Sequence, residues 1–205
     1  MWCSRVSSPV LVAAALVAVS LSTVVASGDV SRTRADADQL LRKIAVMATN
    51  GLGAKPSPRR TTVTESELNS FLEFHARDEM PAGVLDPIVT IEEAGRLRGR
   101  ALVDLDEVKK ANAGEGGLGM LALLSGRVPV EATGTLRSAN GVAQFQLEEA
   151  TVSGVPVPKA LLQQVVSYYS RSPENPEGIN LEAPFPLPVN IRQIETLRGQ
   201  AIVVQ

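Results

Sequence analysis

The sequence predicts an α+β fold: a strongly curved antiparallel sheet packed against two or three helices, preceded by a signal peptide and an N-terminal amphipathic helix. Three observations predict it. Apolar residues recur at helical spacing in three separated stretches, 36–48, 68–75 and 159–171. Between them run alternating or β-branched segments joined by short turn sequences, the pattern of consecutive antiparallel strands. Ahead of both stand a cationic start, an unbroken apolar run and a close of small residues.

Arg5 is the only charge before Asp29, residues 10–26 hold nothing more polar than Ser or Thr, and Val24 and Ala26 fit the small −3/−1 pattern of a cleavage site. Residues 1–28 therefore read as a signal peptide cut near 26–28. A retained anchor needs about 20 apolar residues, and this run has 17, with serines at 20 and 22. Of the 205 residues, 177 remain after removal of 28, the size of one domain. They carry 19 basic and 22 acidic residues, with no basic stripe of the kind nucleic-acid binding requires. The single cysteine, Cys3, lies in the leader, so the remaining chain can use neither disulfides, thiolate metal sites nor cysteine catalysis. A lipoprotein signal would place a cysteine where Ser27, Gly28 and Asp29 stand. The expected product is an exported protein, periplasmic or extracellular, soluble and monomeric.

After the leader, Leu40, Leu41, Ile44, Met47 and Ala48 mark one face of a helix over 36–48, with Asp36 and Asp38 near its positive end. Two glycines and two prolines in 51–60 read as a basic linker, so 29–60 forms a helix and tether ahead of a domain over 61–205. Residues 61–63 can form a short strand. Thr64 and Glu67 fit a capping box for a helix whose face is Leu68, Phe71, Leu72 and His75, closed by Pro81 and Gly83. Strands follow at 88–92 and 97–105, joined through 93–96. A second hairpin pairs 128–136 with the alternating Ala143, Phe145 and Leu147 across Asn140-Gly141, a type I′ turn signal. Pro158 opens a helix over 159–171. A last strand, 194–204, is expected, and its 197–203 stretch echoes 97–103, as two long strands each bent at a glycine would. Residues 118–124, Leu-Gly-Met-Leu-Ala-Leu-Leu between glycines, have no polar face and read either as a buried short helix or as a mobile lid or membrane-touching loop.

Little in the chain carries reaction chemistry. His75 is the only histidine, no G-x-S-x-G elbow is present, and its place on an apolar helix face reads as a packed or helix-terminal side chain. Asp104 and Asp106, two apart on a strand, would share a face as solvated carboxylates and lack the further ligands of a calcium loop. Glu148 and Glu149 would point to opposite faces of a regular strand. The Gly-rich 114–119 lacks the Lys-Ser/Thr of a phosphate loop. A non-enzymatic protein without metal or cofactor is expected.

Composition points to aliphatic packing: 44% hydrophobic but 3% aromatic, with Trp2 in the leader. Such an interior lacks the aromatic platforms of sugar and base sites and suits an acyl chain. The segment Val63-Thr64-Glu65-Ser66-Glu67-Leu68-Asn69-Ser70-Phe71-Leu72, the proline-bounded approach Val152 to Pro158 before the 159–171 helix, and the Pro184-Phe185-Pro186-Leu187-Pro188 stretch running on to Gln205 resemble the LmeA-like phospholipid-binding group of the tubular lipid-binding (TULIP) superfamily. The resemblance covers about 61–205 and implies a highly curved sheet around a hydrophobic groove that binds or carries a lipid, with transient membrane contact. On that reading Leu68, Phe71, Leu72, Leu161, Leu162, Val165 and Tyr169 line the groove, and Met120, Leu121 and Leu124 gate it. The alternative is a cell-envelope structural or interaction protein that docks a partner through a sheet edge or through 118–124. A hydrolase comes third.

Overall fold

The first helix begins where a polar cap meets an apolar face. In the computed structural model, which describes residues 32–111, 125–169, 177–178 and 180–205, helix α1 spans Arg34–Leu52, longer than predicted at both ends. Thr33 caps it, its side chain accepting from the Asp36 amide. Its C-terminal turn takes in Gly51, part of the expected linker, and a residue without a Cβ is needed there because the Val189 carbonyl occupies the space a Cβ would take.

Strand β1 (Arg60–Thr64) leads into α2 (Glu65–Phe74) through the predicted capping box, with Thr64 Oγ1 accepting from Glu67 N and Glu67 returning to Thr64 N. His75 is the C-cap, followed by a 3-10 turn at Arg77–Glu79. Next come β2 (Val84–Ile91), β3 (Arg96–Asp104), α3 (Leu105–Ala111), β4 (Arg127–Ala139), β5 (Val142–Val152), β6 (Val155–Pro156), α4 (Lys159–Tyr169), β7 (Phe185–Pro186), β8 (Gln193–Leu197) and β9 (Gln200–Val204). The β4–β5 hairpin turns on Asn140 and Gly141, both at positive φ (52° and 81°), as the Asn-Gly signal requires.

The strands form two antiparallel sheets, one ordered β1-β9-β8 and a larger, open one ordered β2-β3-β4-β5-β6 with β7 also on β5. Around the smaller sheet lies a buried cluster of Leu40, Met47, Val63, Ile191 and Val203, against which Leu68, Phe71, Leu187, Val189 and Ile194 pack. The small sheet meets one end of the large one through Gly199 N donating to Ile91 O and through Ser138 bonding Ile194 on both its N–H and its carbonyl.

Several expectations are corrected. The stretch 194–204 is two strands, because Gly199 at φ +74° turns the chain back at Arg198-Gly199. The echo between 97–103 and 197–203 therefore has no structural counterpart: Gly99 lies within β3 and Gly199 in a turn. Strand β2 starts before Pro87, which it accommodates in an irregularity between Leu85 and Ile88. Residue 105 opens α3 instead of ending a strand, since Asp104 caps it, Oδ1 accepting from Asp106 N and Glu107 N.

Candidate functional site

Register decides which side chains share a face, because directly paired residues point the same way. On one face of the large sheet Arg96 and Arg98 bind Glu92, Glu131 and Glu148 in a charged lattice. A bulge between Thr133 and Gly134 adds Glu148 to the β5 side, so Glu149 stays opposite Thr133 while Glu148 reaches Thr135 and Arg96. The two glutamates thus serve the same face, contrary to the opposite-face expectation for a regular strand.

The other face is apolar, and its rows run straight across the strands. Ile91, Leu97, Gly134 and Leu147 form one row; Val89, Gly99, Ala132 and Ala150 form the next; Ala101, Val130 and Val152 follow, then Val84, Val103 and Val128. Burial is graded along them. Ile91, Gly134, Leu147 and Ala150 are buried, whereas Gly99, Ala101, Val103, Val128, Val130 and Ala132 are half-buried. Gly99, Ala132 and Ala150 thus form a low trough in this face, bordered by Leu97 and Leu147 on one side and Val130 and Val152 on the other, and a Cβ at Gly99 would meet no described atom within 4 Å.

The predicted groove residues separate into three groups. Leu68 and Phe71 pack on the buried cluster beneath α1, and Leu72 is half-buried on the same helix. Leu161 is 47% exposed and Leu162 half-buried on α4, which lies against β5; Val165 and Tyr169 fall within α4, but their side chains are outside the description. Met120, Leu121 and Leu124 lie outside the described residues. The structure thus places α2 on α1 and β2, and α4 on β5, and lays between those strands a trough the sequence reading missed. Its signal was the run of small residues on alternate positions of β3, β4 and β5, which aligns only once the register is known.

The motif 64–69 proves to be a latch. Glu67, 2% exposed, takes Lys43 Nζ at 2.6 Å from α1. Asn69, fully buried, donates to Val89 O and accepts from Val89 N, while Glu65 Oε2 accepts from Ile91 N. These groups are the free hydrogen-bonding edge of β2, so α2 occupies the place of a further strand.

Three titratable groups elsewhere are committed to structure. His75 Nε2 lies 2.8 Å from Asp38 Oδ1 at the end of α2. Asp104 Oδ2 accepts from Arg127 Nε at 3.1 Å, and that bond, with the two α3 amides, holds its carboxyl below the ordinary value. The Gly126 amide, then Lys109, does the same to Asp106. Their oxygens are thus engaged by donors, and the two residues do not share a strand face as expected.

A cleft of about 490 Å³ opens at the β4–β5 turn, lined by Pro56, Ser57, Asn140, Gly141, Leu187, Asn190, Ile191, Arg192 and Gln205. Asn140 is eight residues along β4 from Ala132, roughly 27 Å at strand rise, so this cleft is distinct from the trough. The chain matches no family model, no curated protein and no solved structure.

Proposed function

We propose that this is an exported, non-enzymatic protein that binds a phospholipid or similar acyl compound on the apolar face of its large sheet. One observation carries the reading: the fully buried cluster lies with α1 and the small sheet, while the large sheet's apolar face keeps a half-exposed trough over Gly99 and Ala132. An acyl chain laid there would bury about 0.8 kcal/mol of favourable transfer per methylene, hence roughly 6–8 kcal/mol for 8–10 methylenes without a polar contact. The sheet's twist would bring its sides up around the chain, and the bulges at Leu85/Ile88 and Thr133/Gly134 would sharpen that curvature. Leu161 and Leu162 would close the β5 side, and Met120, Leu121 and Leu124 would gate entry.

The resemblance to the LmeA-like group supports the same ligand class, with the site shifted from α2 to the sheet. The rival, a partner docked on a sheet edge, is disfavoured at β2, where Glu65 and Asn69 already satisfy Val89 and Ile91. The test is to purify the protein, extract it with organic solvent and identify the extract by mass spectrometry. A stoichiometric acyl lipid is expected; its absence after exposure to envelope lipids removes the reading.

A further inference from the structure

Helix α1 has a wider apolar face than the fold uses. Ala37, Leu40, Met47 and Gly51 are buried, but Leu41, Ile44, Ala45, Ala48 and Leu52, the adjoining stripe at helical spacing, face outward or lie half-buried. Leu41 is 45% and Leu52 79% exposed, and no described residue covers them. A second observation bears on what would cover them.

Charge is divided unequally along the chain. Residues 32–60 carry seven basic and two acidic side chains, a net +5, whereas 61–205 carry twelve basic and nineteen acidic, a net −7. Three of the seven cations are held inward or across the sheet by Glu73, Glu67 and Glu195. Arg42, Lys55 and Arg59 have no side-chain partner among the described residues, and Arg34, in line with Leu41 and Leu52, lies with its guanidinium 5.1 Å from the Phe74 ring. The two acidic groups of the segment are occupied, Asp36 by Ser66 and Asp38 by His75. An apolar stripe flanked by unpaired cations, on a body of net opposite sign, matches the interface of an anionic bilayer, and the net charge of the body disfavours its approach by other sides.

We propose that α1 docks the protein on anionic membrane surfaces, its stripe entering the headgroup boundary and Arg34, Arg42 and Lys55 meeting lipid phosphates. The proposal stands on α1, the cations of 32–60 and the charge division, independently of the acyl site; in a lipid-binding protein it assigns the side that meets the donor membrane.

The experiment uses the chain from Asp29 onward, which contains every described helix and strand and lacks the apolar run 10–26. Its binding to vesicles of phosphatidylcholine with phosphatidylglycerol, against phosphatidylcholine alone, is measured by sedimentation at two salt concentrations. Expected are binding about tenfold tighter to the anionic vesicles and its loss on raising salt from 0.1 to about 0.5 M. Leu41→Asp with Leu52→Asp, and separately Arg42→Glu with Lys55→Glu, should each weaken binding about tenfold with unchanged thermal melting, since these side chains are outward. Leu197→Asp, at an equally exposed leucine (46%) in β8, should bind as the parent does. Gly99→Phe, which fills the trough, should also dock normally, so loss of cargo and loss of docking are separable. Equal binding to both vesicle types, or unchanged binding by either double variant, overturns the proposal. So does a dimer that the leucine variant dissolves, which would assign the stripe to a second copy.

Discussion

Asn69 shows how one side chain substitutes for a strand. Its amide donates to Val89 O at 2.8 Å and accepts from Val89 N at 2.7 Å, in a fully buried setting. Asn69→Ala would leave both backbone groups of Val89 unsatisfied, and each buried orphan costs about 1–3 kcal/mol. Urea unfolding should register a loss of about 2–4 kcal/mol; a loss below 0.5 kcal/mol would mean that water replaces the amide. The Thr64/Glu67 capping box was legible because its partners are three residues apart. The partners of Asn69 and Glu65 were not, since Val89 and Ile91 lie 20 and 26 residues away and only the folded register brings them near. Gln205 is the same case: its buried amide donates to Met47 O and Val189 O, across 158 and 16 residues.

Elements built on local periodicity or on an Asn-Gly turn were legible, and those whose ends are set by the lone Asp104 cap or the Gly199 turn were not. Helices α1, α2 and α4 and the β4–β5 hairpin follow from spacing and from Asn140-Gly141. Helix α3 did not, because seven residues give two turns and the strand before it ends only when the Asp104 carboxylate captures the Asp106 and Glu107 amides. That cap gives α3 an acid dependence. The folded-state pKa of Asp104 is lowered, so its contribution is full above the unfolded value of about 3.9 and is lost as pH falls through the lowered one. Amide exchange in α3 should rise selectively below about pH 4, and Asp104→Asn should flatten that rise; an α3 as protected at pH 3 as at pH 7 would contradict the cap. At the other end of the chain, Gly51→Ala should destabilise α1 by about 1–3 kcal/mol through overpacking against Val189.

At the scale of the molecule, two apolar regions have been kept apart. One is closed, the cluster between α1, α2 and the small sheet; the other is the half-open face of the large sheet. Composition announced enough aliphatic side chain for both but not their division, because Leu68 and Phe71 read equally well as core or as groove until α1 is seen covering them. Which strand positions become the trough is likewise set by register, since Gly99, Ala132 and Ala150 are 33 and 18 residues apart in sequence and adjacent in the sheet. Gly99 offers the most direct handle, because a Cβ added there meets no described atom within 4 Å and a larger side chain has the half-open face to extend over, so the fold should stay intact. The deciding measurement is native mass spectrometry of the protein and of Gly99→Phe after incubation with phospholipid vesicles and re-isolation. Expected are one lipid mass on the parent and none on the variant at equal melting temperature; equal lipid loading of the two, or none on either, would contradict an acyl site on the large sheet.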